Sequence, residues 1–330
     1  MKTYPTADVW FSIDASGNAT LSGAYNAPAV CVPKTVNKTT VTSIAIPNDK
    51  IRRVYFEANN SILTISNSCF NSSTTLEFVD TYALSQLAKV DDYSFMGCQN
   101  VQISGFSSTS LQYIGDFAFN GCQAMKLASL PKSLMTLGYS AFSRCEGLEE
   151  LDLSACKSLD QISDYCFSYC KNLKLRGEDL PSGVVTVGES AFEENLQLVL
   201  DFATNGTVTK FGNKAFYRSP NLTVKNLPIN LQEIGDNCFQ TTNPLGTLMF
   251  TSMPSTLVYL GSGVFKGTYI DSGILDFHKC LSLTNESFQY NSLDNVGKVT
   301  SIILPASLQG VLTVPANRWG AGTSVEVTYL

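Results

Sequence analysis

Histidine is nearly missing from this sequence: His278 is the only one in 330 residues. A Ser-His-Asp triad or a Cys-His pair would have to be built on it. No Gly-x-Ser-x-Gly elbow or other nucleophile motif stands elsewhere to support one. Charge is scarce as well, at 15% of residues, and it leans acidic, with 28 Asp and Glu against 22 Lys and Arg. Neutralising a phosphate backbone needs the opposite balance, so nucleic acid is not expected as a partner. A polybasic patch for a membrane surface is absent too. The apolar runs are short and broken by Ser, Asn and Pro, so none predicts a membrane span. The opening Met1-Lys2-Thr3-Tyr4-Pro5 has no apolar stretch that could act as a secretory signal, which leaves cytoplasmic and exported locations both open. The ten cysteines include no Cys-x-x-Cys pair, and with one histidine no zinc site is expected. The glycines form no phosphate loop. Paired carboxylates such as Asp91-Asp92 and Glu149-Glu150 read as solvated surface rather than glycosidase chemistry. No enzyme and no cofactor is expected from this inventory.

What the sequence has is a period. Hydrophobic residues make up 44%, enough for a large buried core and too many for general disorder. The phrase Ile114-Gly115-Asp116-Phe117-Ala118-Phe119 returns as Leu137-Gly138-Tyr139-Ser140-Ala141-Phe142 and Ile162-Ser163-Asp164-Tyr165-Cys166-Phe167. It returns again as Val187-Gly188-Glu189-Ser190-Ala191-Phe192, Phe211-Gly212-Asn213-Lys214-Ala215-Phe216 and Ile234-Gly235-Asp236-Asn237-Cys238-Phe239. Weaker copies end at Phe70, Phe95, Phe265 and Phe288, which makes ten at steps of 23 to 26 residues. The residue five before each Phe is apolar, and the one just before it is Ala, Cys or Ser except at Val264. A unit of about 24 residues cannot bury its own apolar face, so it must stack on copies of itself. The apolar residue and the Phe then point inward, and the residue beside the Phe must be small because neighbouring coils lie about 4.8 Å apart. Gly after the apolar residue is expected to permit a tight turn.

Between these phrases runs a second one. One form is Leu-Pro-x-x-Leu/Val, as in Leu130-Pro131 with Leu134, Leu180-Pro181 with Val184 and Leu227-Pro228 with Leu231. The other is Leu151-Asp152-Leu153-Ser154-Ala155-Cys156, repeated as Leu275-Asp276-Phe277-His278-Lys279-Cys280. The short alternation ahead of it predicts one strand per coil, ended by Pro, which cannot donate to a ladder. Strands one coil apart must be parallel. The Gly-x-x-Ala-Phe-x-x-Cys stretch is expected to form a turn of helix or 3-10 on the opposite face.

These phrases resemble the BspA-like leucine-rich repeats of bacterial and protist surface and secreted proteins. The family pattern runs nearly intact from Leu130 through Pro131, Leu134, Leu137, Gly138, Ala141, Phe142 and Cys145 to Leu148, and the resemblance covers roughly 45 to 310. It implies an α/β fold, a right-handed leucine-rich-repeat solenoid with a parallel β-sheet on the concave face and short helical or 3-10 turns opposite. It also implies an extracellular or cell-surface adhesion or recognition role without a catalytic residue set. Residues 1–45 are expected to cap the first coil, with Val9–Ile13 and Ala19–Ser22 as a hairpin across a Ser-Gly-Asn turn. The array occupies 46–310. Residues 311–330 hold a degraded copy, Val314 to Trp319, and a last strand around Ser324–Leu330.

Most cysteines keep a fixed place in the repeat. Cys98, Cys122, Cys145 and Cys170 follow the motif Phe by three, and Cys69, Cys166 and Cys238 precede it. They read as small apolar core residues, with disulfides between adjacent coils as the alternative. His278 takes the place of Ser154 and reads as an exposed strand residue. The candidate contact residues are the outward alternates to the inward Leu and Ile: Gln102, Lys126, Glu150, Asp152, Lys174, Arg176, Asp201, Lys225 and Asp276. They mix signs and contain no aromatic run, so the expected partner is a protein or a glycan of unspecified identity. Self-association through the solenoid ends, giving head-to-tail filaments, is the alternative.

Overall fold

The computed structural model describes residues 8–13, 19–25, 28–36, 38–46, 50–203, 205–240, 247–284, 287, 299–311 and 325–330. The Ser-Gly-Asn turn, Phe288 and the Val314–Trp319 copy lie outside the described residues. The chain forms two compact units, 1–159 and 160–330.

In the first unit one ladder runs Asp8–Ile13, Ala19–Tyr25, Thr39–Ile44, Thr64–Ile65, Lys89–Val90, Tyr113–Ile114 and Thr136–Leu137. Asp8–Ile13 and Ala19–Tyr25 pair antiparallel, and the steps after them along this ladder are parallel. A second, parallel ladder joins Ala29–Val32, Arg53–Phe56, Phe78–Asp80 and Gln102–Ser104. The second unit repeats the scheme. Gln161–Ile162, Thr186–Val187, Lys210–Phe211, Glu233–Ile234 and Tyr259–Leu260 form its first ladder. Val199–Leu200, Thr223–Val224, Thr247–Leu248 and Tyr269–Ile270 form its second. A further parallel sheet holds Ile274–Asp276, Ser301–Leu304 and Glu326–Tyr329.

Where both ladders run, a full coil carries two strands where the sequence predicts one, while between Ser104 and Val199 the second ladder is reduced to the bridges Ser129–Asp152 and Arg176–Val199. The extra strand is the pair just before the motif glycine, such as Thr136–Leu137, with its first residue outward and its second buried. Two residues are too few to display a period of two, which is why the alternation does not reveal them.

The helical turn also gives way. Among the described residues there is no α-helix, and the 3-10 segments are Phe106–Ser108, Gly177–Asp179 and Ala306–Leu308. The fold is a parallel-strand β-solenoid of stacked coils, and the α/β class expected from the resemblance does not describe it. The amides of the Phe turn explain why. The N–H groups of Phe117, Phe119 and Gly121 donate to the carbonyls of Tyr139, Ala141 and Ser143 in the next coil. Those of Ala118, Asn120 and Cys122 donate back three residues within their own coil. A helix would use every amide internally, whereas here alternate amides tie coil to coil. The alternation requires left-handed residues, including Phe117 at φ 54° and Gly121 at φ 77°.

The core of each unit is a file of rings. Phe70, Phe95, Phe119 and Phe142 lie buried with centroids 5.0, 5.1 and 5.1 Å apart at interplanar angles of 26°, 12° and 13°. Phe167, Phe192, Phe216, Phe239 and Phe265 form the file of the second unit at 5.6, 5.8, 5.5 and 5.9 Å, all within 8° of parallel. The motif glycines have a different reason from the expected one. Gly115, Gly138, Gly188, Gly212, Gly235 and Gly261 carry no left-handed φ. A Cβ on Gly138 would instead lie 2.4 Å from the carbonyl carbon of Gly115 and 2.5 Å from Asp116 N. Glycine is there so that one coil can lie against the backbone of the coil before it.

Candidate functional site

All nine candidate contact residues face outward along the second-ladder side of the coils, with Gln102, Asp201 and Asp276 half-buried and the rest exposed. Ladder bridges pair Ser129 with Asp152 in the first unit and, in the second, Arg176 with Val199 and Ser252 with Asp276. Their side chains divide into two groups. Asp152, Asp201 and Asp276 accept the N–H two residues on, at 2.8, 3.0 and 2.9 Å from Ser154, Ala203 and His278. Each carboxylate thus ends its strand by closing an Asx turn. The Asn226 amide also donates to Asp201 at 2.9 Å, and that bond, with the Ala203 N–H, holds the Asp201 carboxyl below its ordinary value. Gln102 belongs with these three: its amide donates to the Ala124 carbonyl and its oxygen accepts from Lys126 N at 3.3 Å. The other group is exposed. Lys126 lies 3.3 Å from Glu149 and Arg176 lies 3.8 Å from Glu178, and surface pairs of this kind are worth about 0–1 kcal/mol. Glu150, Lys174 and Lys225 extend into solvent.

His278 sits in the turn after the strand Ile274–Asp276, not in a strand, with Nδ1 2.7 Å from Asp276 Oδ1. Among the described residues its side-chain partner is the carboxylate that closes the turn. No group of three His, Cys, Asp or Glu side chains among the described residues could hold a metal ion.

The first-ladder side of the second unit carries a shallow groove of about 550 Å³, lined by Asp164, Thr186, Glu189, Lys210, Glu233 and Tyr259 among others. The row beside the motif glycine caps backbone there. Asp164, Asn213 and Asp236 accept the N–H of Glu189, Asp236 and Ser262 at 2.7, 2.9 and 2.7 Å. The strand row alongside, Thr186, Lys210, Glu233 and Tyr259, faces solvent, with Lys210 Nζ 2.7 Å from Glu233. Burial, followed by the Asp236 and Glu233 carboxylates, raises the Tyr259 hydroxyl pKa. No signal in the sequence marks this row, because its strands are only two residues long.

The cysteines take no part in either surface. All ten are unbridged, and all but Cys31 are buried. Those after the motif Phe are donors as well as core atoms. The thiols of Cys98, Cys122 and Cys145 donate to the carbonyls of Phe70, Phe95 and Phe119 at 2.9, 3.2 and 3.1 Å. In the second unit Asn195, Ser219 and Thr268 hold the same place and donate to Phe167, Phe192 and Phe239 at 2.8, 3.0 and 2.6 Å. The column therefore selects a compact side chain with a donor, which the reading as small apolar residues misses. Burial pushes the Cys98 thiol up to about 12 and Cys156 to about 11, so thiolate chemistry is suppressed.

Residues 48–174, 88–199 and 174–294 match the family described as BspA type leucine rich repeat region, in six copies. No curated protein sequence matches the chain. Among solved structures, a leucine-rich repeat protein from Bacteroides ovatus is similar over 100% of both chains, at 16% identity and a TM-score of 0.54, which shows the fold. A leucine rich cell surface protein from Faecalibacterium prausnitzii is similar at 15% identity over 99% of this chain and 94% of its own, with a TM-score of 0.43. The pneumococcal vaccine antigen PcpA is similar at 16% identity over 100% and 98%, with a TM-score of 0.36.

Proposed function

The chain belongs to the BspA-type leucine-rich repeat family, and from that premise we propose that it is a non-catalytic recognition or adhesion protein, displayed on a cell surface or secreted. It binds a protein or glycan partner through the solvent side of its repeats. Residues 1–45 serve as the cap of the array and 311–330 as its closing segment. One observation carries the reading. On the first-ladder side of the second unit, backbone and the Asp164, Asn213 and Asp236 caps hold the coils together. Thr186, Lys210, Glu233 and Tyr259 are thereby left facing an open groove. A rigid strand row holds such side chains in place before a partner arrives, which lowers the ordering cost of binding. Exposed charges stand on the second-ladder side of each unit as well, Lys126 and Glu150 in the first and Lys174, Arg176 and Lys225 in the second.

No helix among the described residues is long and apolar enough to cross a membrane. The test is biolayer interferometry of the purified chain against immobilised glycans and extracellular proteins. Saturable binding that Lys210→Ala with Tyr259→Ala weakens about tenfold or more, with unfolding unchanged, is the expected result. Saturable binding to no member of either panel overturns the reading.

A second reading, head-to-tail assembly, draws on the strand Glu326–Tyr329. Among the described residues it is bonded on one side only, to Ser301–Leu304, and an open strand edge is a template for another chain. Concentration-dependent growth in light scattering that Val327→Pro abolishes supports it, and a monomer at all concentrations removes it.

A further inference from the structure

We propose that a groove in the first unit is a carbohydrate subsite that takes one ring of a neutral glycan against Tyr82. The proposal rests on the reading of the chain as a binding protein but not on the groove of the second unit. The site is an open depression of about 460 Å³ whose polar and aromatic lining is Tyr55, Asn59, Asp80, Tyr82 and Ser85.

Tyr82 is 69% exposed, against 36% for Tyr93 and 40% for Tyr139. Its base is held nonetheless. Gly105, at φ 77°, lies against it so closely that a Cβ there would come within 2.7 Å of both Tyr82 Cγ and Tyr82 N. The Tyr82 N–H also donates to Asp80 Oδ1 at 3.1 Å. An aromatic ring anchored at its base and open to solvent offers a broad face for a partner to cover. Around it stand both kinds of hydrogen-bonding group. Asp80 Oδ1 accepts from Tyr82 N and from Ser104 Oγ at 3.4 Å, and its Oδ2 has no hydrogen bond from a described residue. Asn59, with a left-handed φ of 58°, and Ser85 also line the groove, and their side chains carry an amide and a hydroxyl.

This set fits a pyranose, with a C–H face for the ring and hydroxyls for a carboxylate, an amide and a hydroxyl. An extended peptide fits less well. The strands Arg53–Phe56 and Phe78–Asp80 pair with each other at Arg53–Val54 and Phe78–Val79, and the edge left beyond them, Tyr55–Phe56, is two residues long, too short for an added strand. Apart from the two tyrosines, the apolar lining is Ala58, Ala83 and the buried Phe56. A cation fits less well too. Arg53 lies on the face of Tyr55, two residues away on one strand, and a quaternary ammonium has no use for the Asn59 and Ser85 donors.

The test is isothermal titration of the full chain with neutral linear oligosaccharides (cellohexaose, xylohexaose, mannohexaose and maltohexaose), with tetramethylammonium as a parallel probe. At least one sugar is expected to bind. Tyr82→Ala should weaken it about tenfold or more while Tyr82→Phe stays within about threefold, and Lys132→Ala, at an exposed position outside both grooves, should leave it unchanged. Exposure of Tyr82 and of Lys132 predicts nearly the same melting temperature for all three variants. The proposal is overturned if no sugar binds at about 10 mM, if binding is indifferent to Tyr82→Ala, or if tetramethylammonium alone binds. If the sugars fail while a protein partner is held in a Lys210-dependent manner, only this groove is lost and the recognition reading stands.

Discussion

Replacing Phe95 by Leu should destabilise the first unit more than replacing Phe70 by Leu, although both rings are buried. Phe95 lies between two rings, 5.0 Å from Phe70 and 5.1 Å from Phe119. Phe70 has one described neighbour in the file, Phe95. Leucine keeps most of the apolar volume, so the transfer and cavity costs are similar at the two positions and small, about 1 kcal/mol. Aromatic pairs contribute about 0.5–1.5 kcal/mol each beyond burial. Phe95→Leu therefore loses two such terms and Phe70→Leu one, and the expected difference is about 0.5–1.5 kcal/mol, a factor of roughly 2 to 12 in the opening equilibrium. Stacked arrays unfold in pieces, so a single melting midpoint would blur the result. Native-state hydrogen exchange of the Phe119 and Gly121 amides, which donate to the next coil, reads local opening directly. Equal losses for the two variants, or a larger one at Phe70, would refute ring stacking as what aligns the coils.

Three further outcomes follow from the same geometry. Gly121→Ala meets open space, its nearest contact being 3.7 Å, and should cost about 1–2 kcal/mol from its left-handed backbone alone; Gly138→Ala, with backbone at 2.4 Å, should cost clearly more in urea unfolding. Cys122→Ser should be nearly neutral because Ser219 already performs that task, whereas Cys122→Val removes one of the two hydrogen bonds to the Phe95 carbonyl, leaving the Cys98 N–H at 3.0 Å, and should cost about 0.5–1.5 kcal/mol by the same assay. Asp201 titrates below an ordinary carboxyl when folded, so its stabilising contribution is complete above the unfolded value and fades as pH falls through the folded one. Asn226→Ala should raise the Asp201 pKa in an NMR titration and flatten the acid limb of stability, and an unmoved pKa would show that the amide is not its cause.

The period of the motif Phe, the small residue beside it and the inward apolar position all follow from the spelling of the repeat, and the rings of Phe95, Phe119 and Phe142 lie in one file. The antiparallel opening pair is legible for the same reason, since six residues suffice to show alternation. Lys210–Phe211 and its equivalents are not, because a two-residue strand has no pattern of its own. Asp152, Asp201 and Asp276 look like contact residues in a list of outward positions, and only their distances to the amides two residues on reveal turn closers. One missed signal was available. The places three after the motif Phe hold Cys98, Asn195, Ser219 and Thr268, and the property common to all four is a hydrogen to donate.

That column also bears on how such a chain can change its length. Each donor reaches the motif carbonyl one repeat earlier, 26 residues back for Cys145 and 29 for Thr268, so the bond tolerates unequal coils. Duplicating or deleting a whole repeat would present every donor with an equivalent carbonyl and require no new chemistry. Losing one residue between Gly138 and Cys145 would instead shift glycine, ring and donor out of line together. Growth by whole repeats, with small length variation confined to the stretch after the donor, is the mode of divergence this architecture permits.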